Sequence, residues 1–255
     1  MKINEFKQAG QISYAEYLDL TDKFRHVSSF AYWPDADLGT ATRAEALIAD
    51  NEEEYNARLR PNLQKGVILL ALNFGLPKNS DYGAVAPDSK LTPEARVAKL
   101  QEMHYFTNMY VKSAAHEHYY PSFDTYQGQP SVLRGAYMTD LFKFTRDEQG
   151  QLIATGLATN QGNEIGQLAK TDAELVTTNI AGLKHELQDV LHVPDKFVMV
   201  LLGGTVQSYR SELVKAFPQA KFEDMWHYKY VAKSADWEQQ CASLNERVQK
   251  DIQEF

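Results

Sequence analysis

Two short, unbroken apolar runs constrain this chain most: Val67-Ile68-Leu69-Leu70-Ala71-Leu72 and Phe197-Val198-Met199-Val200-Leu201-Leu202. Gly66 precedes the first and Gly203-Gly204 follows the second. Continuous aliphatic runs of this length, closed off by glycine, read as strands covered on both faces, the usual situation in a parallel sheet. Ala136-Tyr137-Met138 with Leu141-Phe142 reads as a further strand, and Lys221 to His227, following Pro218, as a fourth.

Helical patterns separate these runs. Thr92 can cap a helix that carries Pro93 at its first position and continues through Val97, Leu100, Met103 and Phe106. Thr171 and Glu174 have the spacing of a capping box ahead of Leu175, Ile180, Leu183, Leu187 and Leu191. Ser208 to Phe217 is expected to form a short helix, Ser234 and Asp236 to open a last one through Trp237 and Val248, and Thr42 to Leu59 to form another. Strands alternating with helices imply right-handed crossovers. The expected fold class is therefore α/β, a three-layer α/β/α sandwich with a mainly parallel central sheet. No repeat or Ser/Gly linker divides residues 1–255, so one domain is expected. The polar stretches Pro77 to Lys90 and Gln149 to Lys170 are long enough to be functional loops.

Composition removes several classes. Hydrophobic residues make up 44% and charged residues 24%, ordinary globular values that leave no room for a disordered or fibrous reading. Charge in Met1-Lys2-Ile3-Asn4-Glu5-Phe6 and the shortness of the apolar runs lead to the expectation of a cytoplasmic protein with no membrane partner. The formal net charge of −8 opposes extensive binding to a phosphate backbone. Cys241 stands alone, which excludes an internal disulfide, and its polar neighbours suit a plain helix position. His116 and His118 alternate around Glu117 without further ligand spacing, so no metal is assigned, and no fingerprint of a dinucleotide, P-loop or esterase site is present. No cofactor is expected.

Ligands of parallel sheets bind beyond the carboxyl ends of the strands, which directs attention to Asn73-Phe74-Gly75, Thr139-Asp140, Gly203-Gly204-Thr205 and His227-Tyr228-Lys229. Asn73 would offer an amide able to hold a water; equally, it can serve only to end the strand. Gly75, Gly203 and Gly204 would let backbone approach a ligand, or serve turns. Asp140 interrupts an apolar strand and needs a partner, a purpose or an outward direction. His227 can exchange protons near neutral pH, or be structural. Trp226, Tyr228 and Tyr230 could form an aromatic surface beside it.

The order of these pieces resembles the uracil-DNA glycosylase-like superfamily, as a divergent member. Ala71-Leu72-Asn73-Phe74-Gly75 is similar to that family's first motif, GQDPY or GxNPG, with Phe74 in place of the proline. His227-Tyr228-Lys229 stands where the family has His-Pro-Ser. Gly135 to Leu141 is similar to the strand that recognises the base, and Phe197 to Gly204 with Gln207 to the strand before the histidine motif. The resemblance implies an N-glycosidase that removes a base such as uracil from DNA. Asn73 would position the attacking water, and His227 would donate to the departing base. Asp140 would read a base edge, Phe74 or Tyr82 would stack on it, and Gly75, Gly203, Gly204 and Tyr228 would line the substrate site. The implied partner is a nucleobase-containing substrate, including single-stranded or flipped-base DNA. Two alternatives stand beside this one: an enzyme for a small nucleoside or nucleotide on the same fold, and a nucleotide-binding protein without catalysis.

Overall fold

The computed structural model describes residues 1–32, 47–73, 91–92, 95, 98–99, 123, 125–146, 149–154, 167, 169–227 and 234–255. Its strands are β1 (Ser29–Phe30), β2 (Gln64–Asn73), β3 (Thr125–Tyr126), β4 (Gln129–Pro130), β5 (Ala136–Phe142), β6 (Phe144–Arg146), β7 (Leu152–Ala154), β8 (Val198–Leu202) and β9 (Lys221–Met225). Five of them form one sheet in the order β1-β5-β2-β8-β9, while β3-β4 and β6-β7 are separate two-stranded ladders. Within the main sheet β1 runs antiparallel to β5 and the other neighbours are parallel. All four expected strands are present. The second is one continuous element through Thr139 and Asp140, and the fourth ends at Met225 rather than at His227.

The first parallel strand of the chain, β2, therefore lies inside the sheet. The chain leaves it on one side for β5, then crosses to the other side for β8 and β9. This reversal makes the carboxyl ends of β2 and β8 a topological switch point, where open α/β sheets leave a crevice.

Packing follows from the alternation of side chains along each strand. Ile68, Leu70, Tyr137, Met199 and Leu201 join one buried cluster, and Val67, Leu69, Val198, Val200 and Met225 join another. Each fully buried aliphatic side chain contributes about 1.5–3 kcal/mol relative to exposure, so the two clusters account for the sheet's cohesion. The helices are α1 (Ile3–Ala9), α2 (Tyr14–Lys23), α3 (Glu52–Glu54), α4 (Ala173–Lys184), α5 (Gly204–Gln207), α6 (Arg210–Ala216) and α7 (Ser234–Glu254). Wider π turns extend α3 through Tyr55–Leu59 and α4 through His185–Val190. Leu20 of α2, Leu175 and Leu183 of α4 and Leu213 of α6 belong to the first cluster. Phe6 of α1 with Trp237, Cys241, Leu244, Val248 and Ile252 of α7 belong to the second.

Two helix starts differ from expectation. The α4 cap is Asp172, whose Oδ1 accepts from Leu175 N at 2.9 Å; it is not Thr171. Arg146 at the end of β6 reaches the same carboxylate and Glu174, so an ionised cap is favoured there over a hydroxyl. The expected helix over residues 42–59 begins only at Glu52, with 42–46 outside the described residues. Asn51 caps it by accepting from Glu54 N at 2.9 Å. Just before it, the buried Tyr17 hydroxyl donates to Leu47 O at 2.8 Å and accepts from Ala49 N at 3.0 Å, which takes this backbone out of helical bonding. Thr92 does accept from Ala95 N at 3.2 Å, as a cap should; most of the helix expected after it lies outside the described residues.

The edge at β9, the last strand of the sheet among the described residues, is held by arginines. Lys221 N donates to Phe197 O and Met225 O accepts from Gly203 N, so the odd-numbered residues of β9 face β8. The even-numbered carbonyls face away: Arg210 donates to Phe222 O at 3.1 Å and Arg247 to Asp224 O at 2.9 Å. Each guanidinium is anchored by a carboxylate of the same strand, Asp224 at 2.7 Å and Glu223 at 2.6 Å respectively.

Candidate functional site

The ladders place the carboxyl ends of β2, β8 and β9 at the same edge of the sheet. Leu70 is paired with Leu201, and Leu201 with Asp224. Beyond these pairs β2 continues to Asn73, whereas β8 ends at Leu202 and β9 at Met225. Asn73 is the last residue of β2 and pairs with Phe142 of β5.

Gly203 joins the β8 and β9 ends tightly. Its φ of +96° and ψ of 152° lie in a region open essentially to glycine. A Cβ on Gly203 would fall 2.9 Å from His227 Cβ, so the histidine packs directly against this backbone. Gly204 behaves differently: a Cβ there would meet nothing within 4 Å, so the second glycine is not required by packing. Met225 O accepts from Gly203 N at 2.8 Å and from Gln207 Nε2 at 3.0 Å; the same amide reaches Leu201 O at 3.2 Å. The Gln207 side chain thus binds the last carbonyl of β9 and the second-to-last carbonyl of β8. His227 is half-buried.

Asp140 is buried, at 7% exposure, within β5 and opposite Ala71. Its position is two residues short of the Asn73–Phe142 pair, so the strand sets it about 7 Å back from the edge. The Lys143 ammonium donates to its backbone carbonyl. His227 and Gly203 are therefore in contact, Asn73 ends the strand beside β8, Gly204 opens α5 after it, and Asp140 lies deeper in the sheet. Phe74, Gly75, Tyr82, Tyr228 and Tyr230, with His116 and His118, lie outside the described residues. Among the described residues no group of three or more His, Cys, Asp and Glu could hold a metal ion, and no helix is long and apolar enough to cross a membrane. Cys241 is buried in α7, and burial, then the nearby Glu238, pushes its thiol far above the range of a reactive cysteine.

The strongest polar feature was not anticipated from the sequence. Glu186 in the π turn after α4 is fully buried and accepts from Tyr137 Oη at 2.7 Å and Thr139 Oγ1 at 2.6 Å. Lys143 Nζ lies 2.6 Å from its other oxygen. Burial, followed by this neighbouring carboxylate, holds the Tyr137 hydroxyl well above its ordinary pKa, so it stays protonated and donates. Asn179, also buried, accepts from Lys143 N at 2.7 Å and Phe144 N at 2.8 Å and donates to Phe144 O at 3.2 Å and Leu175 O at 2.9 Å. These two side chains lock α4 to the chain where it leaves β5. A signal was present: Asn179 falls on the helical stripe between Leu175 and Leu183, and Glu186 continues that stripe beside Leu187.

Comparison of the chain with protein-family profiles, characterised proteins and solved structures gave no match.

Proposed function

We propose that this protein is a divergent relative of the uracil-DNA glycosylase-like enzymes that hydrolyses an N-glycosidic bond to a nucleobase. The observation that carries the reading is Asn73 at the end of β2 and His227 just past the end of β9, packed on Gly203, on the two sides of β8 at the switch point of the sheet. The two buried clusters, drawn from alternate residues of the same strands, support the finer architecture of a three-layer α/β/α sandwich.

The chemistry asks for two groups on opposite sides of the scissile bond. As the bond from C1′ to the base nitrogen breaks, its electron pair leaves with the base and positive charge develops on the sugar. Water oxygen then bonds to C1′, and the water proton is finally carried by the base or solvent. An asparagine is too weak a base to take that proton outright but can orient the water with its amide. A histidine N–H aimed at the base oxygen stabilises the negative charge that develops there. Asp140, set back from the edge within β5, is assigned to reading a base edge.

The test is release of free uracil from a single-stranded uracil-containing oligonucleotide by the wild type, Asn73→Ala and His227→Ala. A fall of about a hundredfold or more in both folded variants is expected, the scale of losing a positioned electrostatic group. The absence of release from the wild type would refute DNA uracil as substrate. The net charge of −8 favours a second reading, a small nucleoside as substrate. Hydrolysis of free uridine or deoxyuridine, with the oligonucleotide inert, would decide for it.

A further inference from the structure

Gln207 closes the short helix α5 and takes no part in the chemistry assigned to Asn73, Asp140 and His227. A glutamine amide carries two N–H donors, and here two carbonyls meet it: Nε2 donates to Met225 O at 3.0 Å and to Leu201 O at 3.2 Å. Its own backbone N donates to Gly203 O at 3.1 Å. One residue therefore grips the end of β9, the end of β8 and the glycine between β8 and α5.

Those three attachments bear directly on His227. The pairing of β8 with β9 ends at Leu202 and Met225, so no ladder pair of these strands reaches the histidine. Past it, the Met225 carbonyl is the next fixed point, accepting from Gly203 N at 2.8 Å and from the Gln207 amide. Because a peptide unit is planar, fixing that carbonyl fixes the Trp226 nitrogen and Cα, one residue short of His227. On its other side the histidine lies on Gly203, where an added Cβ would come within 2.9 Å of His227 Cβ. Gly203 keeps its φ of +96° with its N–H bonded to Met225 and its carbonyl to Gln207. The half-buried imidazole is thus carried by backbone that Gln207 holds on both sides. Glutamate has the same length as glutamine but, ionised, only accepts, so it would set negative oxygens against two carbonyl oxygens.

We propose that Gln207 is the positioning residue for His227: its amide fixes the ends of β8 and β9 so that the imidazole stands where the departing base is met. This rests on His227 being the donor of the N-glycosidic reaction and adds the group that sets its place. Gln207 acts through backbone alone and is assigned no contact with substrate.

The experiment uses the full chain with histidine labelled at Cε1 for NMR, in the wild type, Gln207→Ala and Gln207→Glu, each measured well below its melting transition. Gln207→Glu keeps the length of the side chain, and with it the packing, should Gln207→Ala not fold. The His227 resonance is assigned by its loss in His227→Ala, and the exposed His185 serves as internal reference. In the folded Gln207 variants the His227 resonance should move and broaden while that of His185 stays in place, a selectivity that a loss of global stability does not produce. In parallel, kcat for uracil release, or for hydrolysis of the free nucleoside where that is the substrate, should fall about tenfold to a hundredfold with KM within about threefold. An unmoved His227 resonance in the folded variants would overturn the positioning role, whether or not the wild type is active. A moved resonance with unchanged kcat would overturn its bearing on the reaction. A moved resonance in a chain whose wild type hydrolyses neither the oligonucleotide nor a free nucleoside would uphold Gln207 as the holder of His227 and refute the glycosidase reading instead.

Discussion

Replacing Glu186 with alanine should cost about 4 kcal/mol of folding stability. The carboxylate is fully buried and accepts from two hydroxyls, Tyr137 and Thr139, while the Lys143 ammonium lies against its second oxygen. Losing the acceptor removes about 1 kcal/mol for each hydroxyl. Breaking a buried ion pair from one side costs about 3–5 kcal/mol because the remaining charge has no counter-ion. Lys143 keeps one acceptor, the Asp140 carbonyl, and a little exposure, 11%, which lowers its share and brings the sum near 4 kcal/mol. In urea, with a slope of about 3 kcal/mol per molar for a chain of this size, the midpoint should fall by about 1.3 M. Lys143→Met alone should also destabilise, since it strands the carboxylate. With Glu186→Gln as the matching single variant, the double variant Glu186→Gln with Lys143→Met removes both charges and keeps an oxygen for the hydroxyls, so it should lose about 2 kcal/mol or less, below the sum of its two single losses. A loss below about 1 kcal/mol in Glu186→Ala, or single effects that simply add, would refute the claim that these groups form one buried unit.

The other expectations are separate in place and in readout. Gly203→Ala should destabilise by about 1–3 kcal/mol in chemical denaturation, because of its positive φ and the contact with His227, whereas Gly204→Ala should change stability by about 0.5 kcal/mol at most. Gly135→Ala should not accumulate as folded protein: φ is +69° and the new Cβ would sit 1.6 Å from Asn62 O, an overlap that soluble expression and circular dichroism would reveal at once. The Asp172 carboxyl is held down from 3.8 to about 2, first by Arg146 and then by Leu175 N–H. Its contribution is therefore complete above the ordinary carboxylate range and lost as pH falls toward 2. Melting temperatures across pH 5 to 2 should fall less in Asp172→Asn, which keeps a cap oxygen, than in the wild type. Cys241 should react with a thiol reagent only at the rate of unfolding, as stopped-flow absorbance in increasing urea would measure.

How much of this was legible in the sequence depends on the range of the forces involved. β2 and β8 could be read directly, because burial on both faces leaves an apolar record in each strand alone. Their adjacency, and the placement of β5 on the far side of β2, could not, since sheet order is set by crossovers between distant segments. The contact of His227 with Gly203 belongs to that same long-range information: each stood out as a strand-end residue, and the pairing of β8 with β9 brought them together. Helix starts failed where a partner from elsewhere intervened, as Arg146 did at Asp172 and Tyr17 did ahead of Glu52. Glu186 was hidden for a related reason. In the sequence it is one charged residue among Lys184, His185 and Asp189, and only its phase on the helical stripe marks it as buried.

The arginines along β9 have a consequence for how the protein keeps company. A sheet edge recruits other chains by offering unmet carbonyls and amides at a regular repeat. On β9 the outward carbonyls of Phe222 and Asp224 already receive guanidinium donors. An incoming strand would first have to displace two charge-assisted bonds, each tethered by its own carboxylate, before gaining ordinary amide bonds of about half their strength. The two arginines thus raise the cost of adding a strand at β9, and removing them both should make this edge the more adhesive one.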